Sequence, residues 1–370
     1  MEKRQLGKTG LSLSIIGFGG FHLIETPLSE SKKLLNYYLD NGGNYVETAA
    51  DYGDGISERK IGQSISHRRN DFILASKCAR RSNDETQKSI ERSLKNLNTD
   101  YLDILFMHAV QSKKEVEQIH GSGGAMEAAL KARQKGKVRF IALSGHGEPE
   151  ALRYAVSKRG YDVLMTGFNY FDRFNFPATE NKLLPECLDK DMGVLAMKAL
   201  ADGYLYRTWE QGIRYSLSLP VTSLVLGINT MEYLKNDLAI AENFSPMSSE
   251  EKEELYTNAM ELGNYVCRQC KKCDGQTKFT PSQIFELEGI FDRQMEDGFI
   301  PDPAFYALRE RLKHWFAQQG KAMVRYAALP EKVNPETDYS FLNPTCPYHI
   351  DIDRKLKMAH AKLGGTEYLF

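Results

Sequence analysis

The amino-acid sequence predicts an α/β protein, a (β/α)8 TIM barrel followed by a smaller, mostly helical extension. Three observations support this prediction. Apolar runs of strand length alternate with helix-like segments between residues 10 and 242. The alternation stops after that point, and three cysteines then lie close together within residues 267–273. We therefore expect a barrel domain at 1–250 and an extension domain at 251–370.

The predicted strands are short, continuous apolar runs. Such runs are typical of strands that are buried on both faces of a parallel sheet. Eight strand–helix units in about 250 residues match the size of a (β/α)8 barrel. A doubly wound parallel sheet is the alternative, and the number of units favours the barrel. The predicted strands are 13–19, 44–49, 71–77, 102–108, 138–144, 162–169, 193–198 and 222–227.

The segments between these strands carry helix signals. A helix-like segment that begins at Ser29 ends at Gly42, and glycine commonly follows the last turn of a helix. After Asn83, apolar residues such as Ile90 and Leu94 recur at helical spacing. We therefore expect a helix after each strand, as the barrel requires.

The region after the barrel predicts helices without strands. A cluster of serines opens the helix-like segment at 245–260, as expected for a capped helix start. Residues 281–328 predict further amphipathic helices. The apolar residues at helical spacing within that range include Phe305, Leu308, Leu312 and Trp315.

The composition argues against several classes of partner. The chain has 48 Lys plus Arg residues against 49 Asp plus Glu, a net charge of −1 that provides no field to attract nucleic acid or an anionic membrane. Hydrophobic residues make up 42% of the 370 residues, enough for a large core. No run approaches the roughly 18 apolar residues of a membrane span. Because no apolar signal segment opens the sequence, we expect a cytoplasmic protein.

Four proton-handling side chains lie at the ends of consecutive predicted strands. Glu47 and Tyr52 lie at and after the second strand, whereas Lys77 ends the third and His108 ends the fourth. Barrel enzymes carry their reactive groups at these carboxyl ends. A cation beside a tyrosine lowers the phenol pKa from about 10, a carboxylate holds the lysine charged, and a histidine orients a substrate oxygen. Any one of them alone has a structural explanation, but four in succession predict a catalytic site.

Five segments resemble the aldo-keto reductases and occur in the order found in that family. They are IGFGGF, YVETAADYGDGISERKIG, FILASK, LDILFMH and GKVRFIALSGH. The resemblance covers about residues 3–242 and implies a barrel enzyme that carries a nicotinamide cofactor and a catalytic Asp–Tyr–Lys–His tetrad.

The resemblance maps three members of that tetrad onto Tyr52, Lys77 and His108. Glu47 stands where the family has aspartate. The extra methylene is expected to displace the carboxylate by about 1.5 Å. Asp51 is an alternative carboxylate, although its position relative to the tyrosine differs from that in the family.

The resemblance also implies a site for NADP(H) or NAD(H). Ser144 matches a family serine, but Gly145 follows it in place of asparagine, and Thr166 is an alternative to Asn169 for a contact with the nicotinamide amide. Thr230 stands where a basic residue usually meets the 2′-phosphate of NADP, so both nucleotides stay open. The residues implied to contact the cofactor are Gly20, Phe21, Ser144, Asn169, Met197, Lys198, Gly227, Ile228 and Asn229.

The cysteines of the extension predict a metal centre. Cys267, Cys270 and Cys273 follow each other at gaps of two residues, which favours a metal over disulfides in a chain without a secretory signal. Iron–sulfur clusters use three thiolates on such a loop, and zinc is the alternative. Thr277 stands where a ferredoxin run would place its fourth cysteine, whereas Cys346 is followed by proline as the last cysteine of such a run is. Cys346 is therefore the predicted fourth ligand.

This tail resembles the ferredoxin-like extension of an iron–sulfur branch of the aldo-keto reductases, reduced to one 4Fe–4S cluster. Arg268, Lys271 and Lys272 flank the ligands and are expected to raise the reduction potential, because positive charge favours the more negative reduced state. Cys78 and Cys187 are expected to be buried structural thiols.

The predicted function is NAD(P)H-dependent interconversion of a small carbonyl compound and its alcohol, with Tyr52 as general acid. The cluster would serve as an electron port to a ferredoxin-like partner or as a structural staple. A different class remains open, a non-catalytic nicotinamide-binding barrel for electron transfer or redox sensing, because Glu47, Gly145 and Thr230 depart from the family. A zinc-stabilised tail without a redox role is a third hypothesis.

Overall fold

A computed structural model describes residues 1–293 and 318–365. Eight parallel strands form a closed barrel in which the last strand pairs with the first, Leu224 lying opposite Ile16. Closure confirms the predicted (β/α)8 barrel and excludes the doubly wound sheet. With a short antiparallel hairpin ahead of the barrel, the strands are β1 (Lys3–Gln5), β2 (Ser12–Ser14), β3 (Ile16–Gly19), β4 (Tyr45–Glu47), β5 (Ile73–Cys78), β6 (Leu102–Met107), β7 (Val138–Ser144), β8 (Val163–Gly167), β9 (Gly193–Met197) and β10 (Ser223–Gly227).

Helices connect successive barrel strands, and further helices build the extension. The helix predicted after Asn83 begins at that residue, and Ser248 and Glu251 form a capping box at the start of the first helix beyond the barrel. The described α-helices are α1 (Leu28–Asp40), α2 (Ile56–Ile65), α3 (Asn83–Leu97), α4 (Lys113–His120), α5 (Ala125–Gln134), α6 (Pro149–Ser157), α7 (Asp172–Asn175), α8 (Leu184–Leu188), α9 (Trp209–Leu217), α10 (Met231–Glu242), α11 (Ser249–Asn258), α12 (Pro281–Asp292), α13 (Gln319–Ala327) and α14 (Ile352–Gly364).

The first strand differs from its prediction at 13–19. The chain bends at Ile15, so that β2 pairs with β1 and the barrel strand β3 begins only at Ile16. Two hydroxyl groups stabilise the bend, since Ser14 Oγ and Tyr38 Oη each donate to the Ile16 carbonyl at 2.8 Å. The run of apolar residues continues across the bend, and hydrophobicity alone therefore does not reveal it.

The hairpin closes the amino-terminal end of the barrel. Its Leu6, Leu11 and Leu13 side chains belong to the same buried cluster as the barrel residues Phe106 and Met165. Side chains thus fill the barrel interior, as in other barrels of this type. The loops at the opposite, carboxyl-terminal rim are left to form a site.

The extension has its own apolar core. Ile284 of α12, Tyr326 of α13 and Leu356 of α14 are buried against one another, and Phe176 of the barrel belongs to the same cluster. The helices predicted within 281–328 are confirmed at α12 and α13, whereas Phe305, Leu308, Leu312 and Trp315 lie outside the described residues. The domain boundary at residue 250 stays a prediction, and α11 crosses it. Within the described ranges no helix is long and apolar enough to cross a membrane.

Candidate active site

The predicted catalytic side chains lie together at the carboxyl-terminal rim of the barrel. Glu47 ends β4, with Tyr52 in the loop that follows, and Lys77 and His108 lie at the ends of the next two strands. Lys77 Nζ donates to Tyr52 Oη at 3.0 Å, to the Thr48 carbonyl at 2.9 Å and to the Glu47 carboxylate. One ammonium group therefore joins the phenol to the carboxylate.

The charge of this lysine depends on Glu47. Burial lowers the pKa of the Lys77 ammonium well below its usual range, because the charged form loses its hydration. The buried Glu47 carboxylate opposes this shift by stabilising the charged form. With the ammonium 3.0 Å from the phenolic oxygen, the arrangement favours a negative charge on Tyr52 Oη.

The alternative carboxylate, Asp51, has different partners. Its Oδ2 lies 3.8 Å from His108 Nδ1, and its Oδ1 lies 3.6 Å from Arg80 Nη2. The contact with His108 is the main reason why the pKa of Asp51 is below its usual value. The longer Glu47 side chain is thus the one that reaches Lys77.

His108 lies beside Tyr52, with the ring centroids 5.9 Å apart and the rings edge to face. Burial lowers the pKa of His108, so the neutral imidazole is favoured. Arg81 Nη2 donates to the His108 carbonyl at 2.7 Å, and the Ala109 N–H donates to Ser144 Oγ at 3.2 Å. The predicted cofactor residue Ser144 therefore holds the loop that carries the imidazole.

A cavity of about 680 Å³ opens at this rim, with Glu47, Tyr52 and His108 on its wall. Its volume falls within the roughly 300–1,000 Å³ of small-molecule and cofactor sites. The predicted cofactor residues that line it are Phe21, Met197, Lys198, Gly227 and Asn229.

Two of the glycines that are predicted to contact the cofactor allow close packing beside this cavity. A Cβ atom on Gly227 would come within 2.5 Å of the His22 ring, and one on Gly20 would come within 2.9 Å of the Glu47 carbonyl. A side chain at position 20 would meet backbone, whereas one at position 227 would require the His22 ring to move. Ile228 follows as a fully buried residue behind the wall.

Helix α10 begins beside the cavity. Thr230 caps it, since Thr230 Oγ1 accepts from the Tyr233 N–H at 3.2 Å. The cavity-lining residues of this helix also include Glu232, Asn236 and Asp237. Burial raises the pKa of Asp237 to about 7. Among the described residues of α10 that line the cavity, two are acidic and none is basic.

Asn169 and its predicted alternative Thr166 lie behind the cavity wall. Asn169 Nδ2 donates to Asp172 Oδ2 and to the Lys198 carbonyl, both at 2.9 Å, while its Oδ1 accepts from the Asp172 N–H at 2.7 Å. Thr166 Oγ1 donates to the Gly145 carbonyl at 3.0 Å. The structure thus uses these side chains to hold the rim loops together.

Some cavity residues were not predicted from the sequence. His146 follows β7, and burial is the main reason why its pKa lies well below the usual value. Burial also lowers the pKa of His22, in the turn after β3, to about 4. The strand-end rule that identified His108 also applies to His146. His22 and Trp209 carry no comparable signal, because only the fold brings them to the cavity.

The loop after β9 brings a second lysine to the cavity. Lys198 Nζ donates to Asp202 Oδ1 at 2.7 Å. Both residues have positive backbone φ angles, 61° and 54°, which residues other than glycine seldom adopt. Burial opposes ionisation of Asp202, but the Lys198 and Arg293 cations outweigh it and leave the pKa of Asp202 below its usual value.

The four predicted cluster ligands line one small cavity in the extension, and all are free thiols. Gln269 and Lys271, which lie between the first three of these cysteines, have positive φ angles of 55° and 61°. These angles make the loop turn tightly. Within the described residues, no group of three or more His, Cys, Asp or Glu side chains is arranged to hold a metal ion. Cys78 and Cys187 are buried in the barrel core, as predicted. The four predicted ligands are Cys267, Cys270, Cys273 and Cys346.

Arg268 lines the same small cavity and is 6% exposed. Its Nε donates to the Tyr256 carbonyl at 3.0 Å, and its Nη1 donates to the Leu262 carbonyl at 3.2 Å. Among the described residues, Arg268 Nη2 has no hydrogen-bond partner. A buried cation with an unused donor is costly unless an anionic group lies nearby.

Residues 15–258 match the model of the aldo/keto reductase family. The chain belongs to this family. The reductase is 28% identical over 217 residues to an uncharacterized oxidoreductase, YqkF, of Bacillus subtilis. It is 31% identical over 221 residues to the L-galactose dehydrogenase of Arabidopsis thaliana. Each alignment covers 55% of this chain and 67% of the relative, and the chain is thus an oxidoreductase of the aldo/keto reductase type.

The fold of the reductase is similar to solved members of the family. The holo form of aldo-keto reductase AKR11C1 from Bacillus halodurans matches it with a TM-score of 0.61 at 22% identity, covering 69% of this chain and 95% of that one. The family match ends at residue 258, before the four cysteines of the extension.

Proposed function

We propose that this reductase interconverts a small carbonyl compound and its alcohol with a nicotinamide nucleotide as hydride carrier. The observation that carries the proposal is the 3.0 Å contact between Lys77 Nζ and Tyr52 Oη, in a chain of this family. A phenol beside a buried ammonium is well placed to act as a general acid.

In the direction of reduction, Tyr52 transfers its hydroxyl proton to the carbonyl oxygen of the substrate. The Lys77 ammonium stabilises the negative charge that remains on Tyr52 Oη, and Glu47 balances the ammonium. Neutral His108 orients the carbonyl by donating a hydrogen bond to its oxygen. The nicotinamide, when bound, supplies the hydride that reaches the carbonyl carbon.

The large cavity suits such a nucleotide. Phe21, Met197 and Lys198 line it beside the catalytic residues, and Gly227 and Asn229 lie where α10 begins. The free N–H groups at the start of a helix favour phosphate. The predicted residues that support this wall from behind are Gly20, Ser144, Asn169 and Ile228.

We expect the cavity to bind NAD(H) at least as readily as NADP(H). Glu232 is an exposed acidic residue on the α10 side of the cavity, and Thr230 stands where the family usually has a basic residue. A carboxylate close to a 2′-phosphate is unfavourable because like charges repel. We expect NADPH to bind more weakly than in family members with a basic residue at this position.

A Y52F variant tests the proposed activity. We expect its kcat/KM on a panel of aldehydes to fall by about a hundredfold or more, because general acid catalysis is lost. Its affinity for NADH and NADPH is expected to stay unchanged. The Y233F variant, at an exposed tyrosine of the same cavity, is the matched control. Full activity in Y52F would refute the proposal, and nucleotide binding without turnover in the wild type would favour the non-catalytic alternative.

We also propose that Cys267, Cys270, Cys273 and Cys346 hold one 4Fe–4S cluster. A cubane cluster binds each thiolate to a different iron, so its ligands stand farther apart than those of a single ion. The four side chains surround one cavity without forming a single-ion site. The preference for a cluster over zinc rests on the sequence, in which three cysteines follow each other at gaps of two residues and a proline follows Cys346.

Hydrogen-bond donors beside the cysteines support the same proposal. The Gln269 N–H donates to Cys267 Sγ at 3.4 Å, and the Arg268 guanidinium has a buried Nη2 without a partner. Donors to the sulfurs and nearby positive charge are ways in which proteins stabilise a negatively charged cluster. Assembly of thiolate ligands also requires a reducing compartment, which agrees with a cytoplasmic location.

The position of the site suits an electron port. Cys270, Lys271 and Lys272 are exposed, which brings one side of the cluster to the protein surface beside positive charge. A ferredoxin-like partner with an acidic surface would complement it. Anaerobic purification followed by iron, sulfide and zinc analysis tests the cluster. Reduction of the cluster by a ferredoxin then separates an electron port from a purely structural role.

A further inference from the structure

A buried arginine of the extension reaches the rim of the barrel beside the large cavity. Arg293 directly follows α12, and its side chain is fully buried. Its Nε donates to Asp172 Oδ1 at 2.6 Å, and its Nη2 donates at 3.0 Å both to Asp172 Oδ2 and to Asp202 Oδ2. Forked contacts of this kind fix the relative positions of the groups they join.

Both carboxylates are connected to Lys198 by hydrogen bonds. Asp202 accepts from Lys198 Nζ at 2.7 Å through its other oxygen. Asp172 accepts from Asn169 Nδ2 at 2.9 Å, and the same Nδ2 donates to the Lys198 carbonyl at 2.9 Å. The ammonium and the carbonyl of Lys198 are thus each separated from Arg293 by short hydrogen-bonded paths.

This loop needs such support, because its backbone is strained. Lys198, Ala201 and Asp202 all have φ angles near +50° to +60°, a region that L residues rarely adopt. The strain persists only where surrounding contacts enforce it. Arg293 also lies over the ring of Tyr204 in the same loop, 5.3 Å from the centroid.

The loop forms part of the cavity wall. Met197, Lys198 and Asp202 line the cavity, and so does Trp209, the first residue of the helix that follows. Lys198 also contributes, after burial, to the low pKa of His146 on the same wall. A displacement of the loop would therefore change the cavity where the nucleotide and the substrate are proposed to bind.

We propose that Arg293 is a positioning residue through which the extension holds the loop 198–208 against the catalytic cavity. The extension is then a component of the active site of the barrel. This inference rests on the proposed function, in which that cavity binds the nucleotide and the substrate. Because Arg293 acts on the wall and not on Tyr52, its loss weakens nucleotide binding more than it slows proton transfer.

The test uses the full chain in a W315F background, which leaves Trp209 as the single tryptophan. Quenching of its fluorescence by NADH and by NADPH reports nucleotide affinity without turnover. The main variant is R293M/D172N, which removes one charge of each sign and avoids leaving two carboxylates unpaired. R293K keeps the charge, and K362M is the matched control because Lys362 pairs with Asp292 at the end of the same helix, at 2.7 Å.

We expect circular dichroism to show that R293M/D172N is folded. Its Kd and KM for the nucleotide should rise about tenfold, whereas kcat should change less than about threefold. R293K should recover most of the affinity. K362M should lower the melting temperature while leaving Kd unchanged.

Two results would overturn this inference. A folded R293M/D172N variant with the Kd and KM of its parent would show that Arg293 only stabilises the fold, and the proposed function would stand. A parent that neither binds nucleotide nor reduces any carbonyl would overturn the proposed function and this inference together.

Discussion

The ammonium of Lys77 donates to the carboxylate of Glu47 in a pair whose side chains are only 2% and 5% exposed. Removal of one member of so enclosed a pair leaves a charge without hydration or partner. The carboxylate of Glu47 therefore stabilises the charged form of Lys77 against the effect of burial.

An E47Q variant is expected to lose activity on the alkaline side first. Without the carboxylate, the burial that lowers the pKa of Lys77 is no longer opposed, so the ammonium loses its proton at a lower pH than in the wild type. The falling limb of kcat/KM against pH should move to lower pH, and the free energy of unfolding should fall by about 3–5 kcal/mol. E47D keeps the charge and should lie between the two. An unchanged pH profile in E47Q would contradict the role given to Glu47.

A G145N variant, which introduces the asparagine of the family, is expected to be unstable. A Cβ atom at Gly145 would come within 2.5 Å of Leu152 Cδ2 and within 2.8 Å of the Val110 carbonyl. Overpacking of this kind costs about 1–3 kcal/mol, which urea unfolding would measure. G320A is the control, since a Cβ atom there meets no atom within 4 Å. Equal stability of both variants would mean that the loop adapts freely.

The stability of the nucleotide-free protein should depend on Asp237. Burial raises the pKa of Asp237 from 3.8 to about 7, so the folded state holds a proton that the unfolded state releases over that interval. Stability from this group therefore falls as the pH rises from about 4 to about 7.

A D237N variant has no such loss, and its advantage over the wild type should grow across this window and level off above pH 7. Above pH 7 the free energy of unfolding of D237N should exceed that of the wild type by about 2 kcal/mol. Each pKa unit corresponds to about 1.4 kcal/mol, and solvent in the cavity reduces the full value. Urea unfolding at a series of pH values measures it. E232Q, at an exposed residue of the same helix, should show no comparable trend.

Serine substitutions test the proposed cluster and its proposed cysteine ligands. Anaerobically purified wild type should contain about four iron atoms per chain and absorb visible light. C273S and C346S should lose most of the iron, because each removes one of four thiolates. C187S is the matched control, since Cys187 is a buried thiol of the barrel core. Full iron content in C346S would exclude Cys346 as the fourth ligand, and zinc in place of iron would exclude the cluster.

The barrel and the group formed by Glu47, Tyr52, Lys77 and His108 can be predicted because the sequence patterns that indicate them are local. Each strand is one apolar run, and the reactive side chain lies at its end, as His108 does after β6. Parallel strands share one rim, so residues distant in sequence meet without further information. Glu47 illustrates the limit of this rule, since only the structure decides that it, and not Asp51, reaches the lysine.

Contacts between distant loops cannot be predicted in this way. Arg293 and Asp172 are 121 residues apart, and neither lies in a periodic pattern that points to the other. Asn169 was expected to face the cofactor, but Asp172 and the Lys198 carbonyl turn its amide into the protein. Such choices depend on hydrogen bonds that form only once the barrel has closed.

The hairpin at the amino terminus has a consequence for folding. Arg4 Nη1 donates at 3.0 Å to the carbonyl of Val221, which lies 217 residues later in the chain. Val221 directly precedes β10, the strand that pairs with β3 and closes the barrel. Contacts this distant in sequence slow folding, because a long loop must close before they form. During synthesis, β3 keeps an unpaired edge until β10 has been made, and an unpaired edge invites association with other chains. Recovery of native enzyme should therefore depend strongly on chain concentration during refolding.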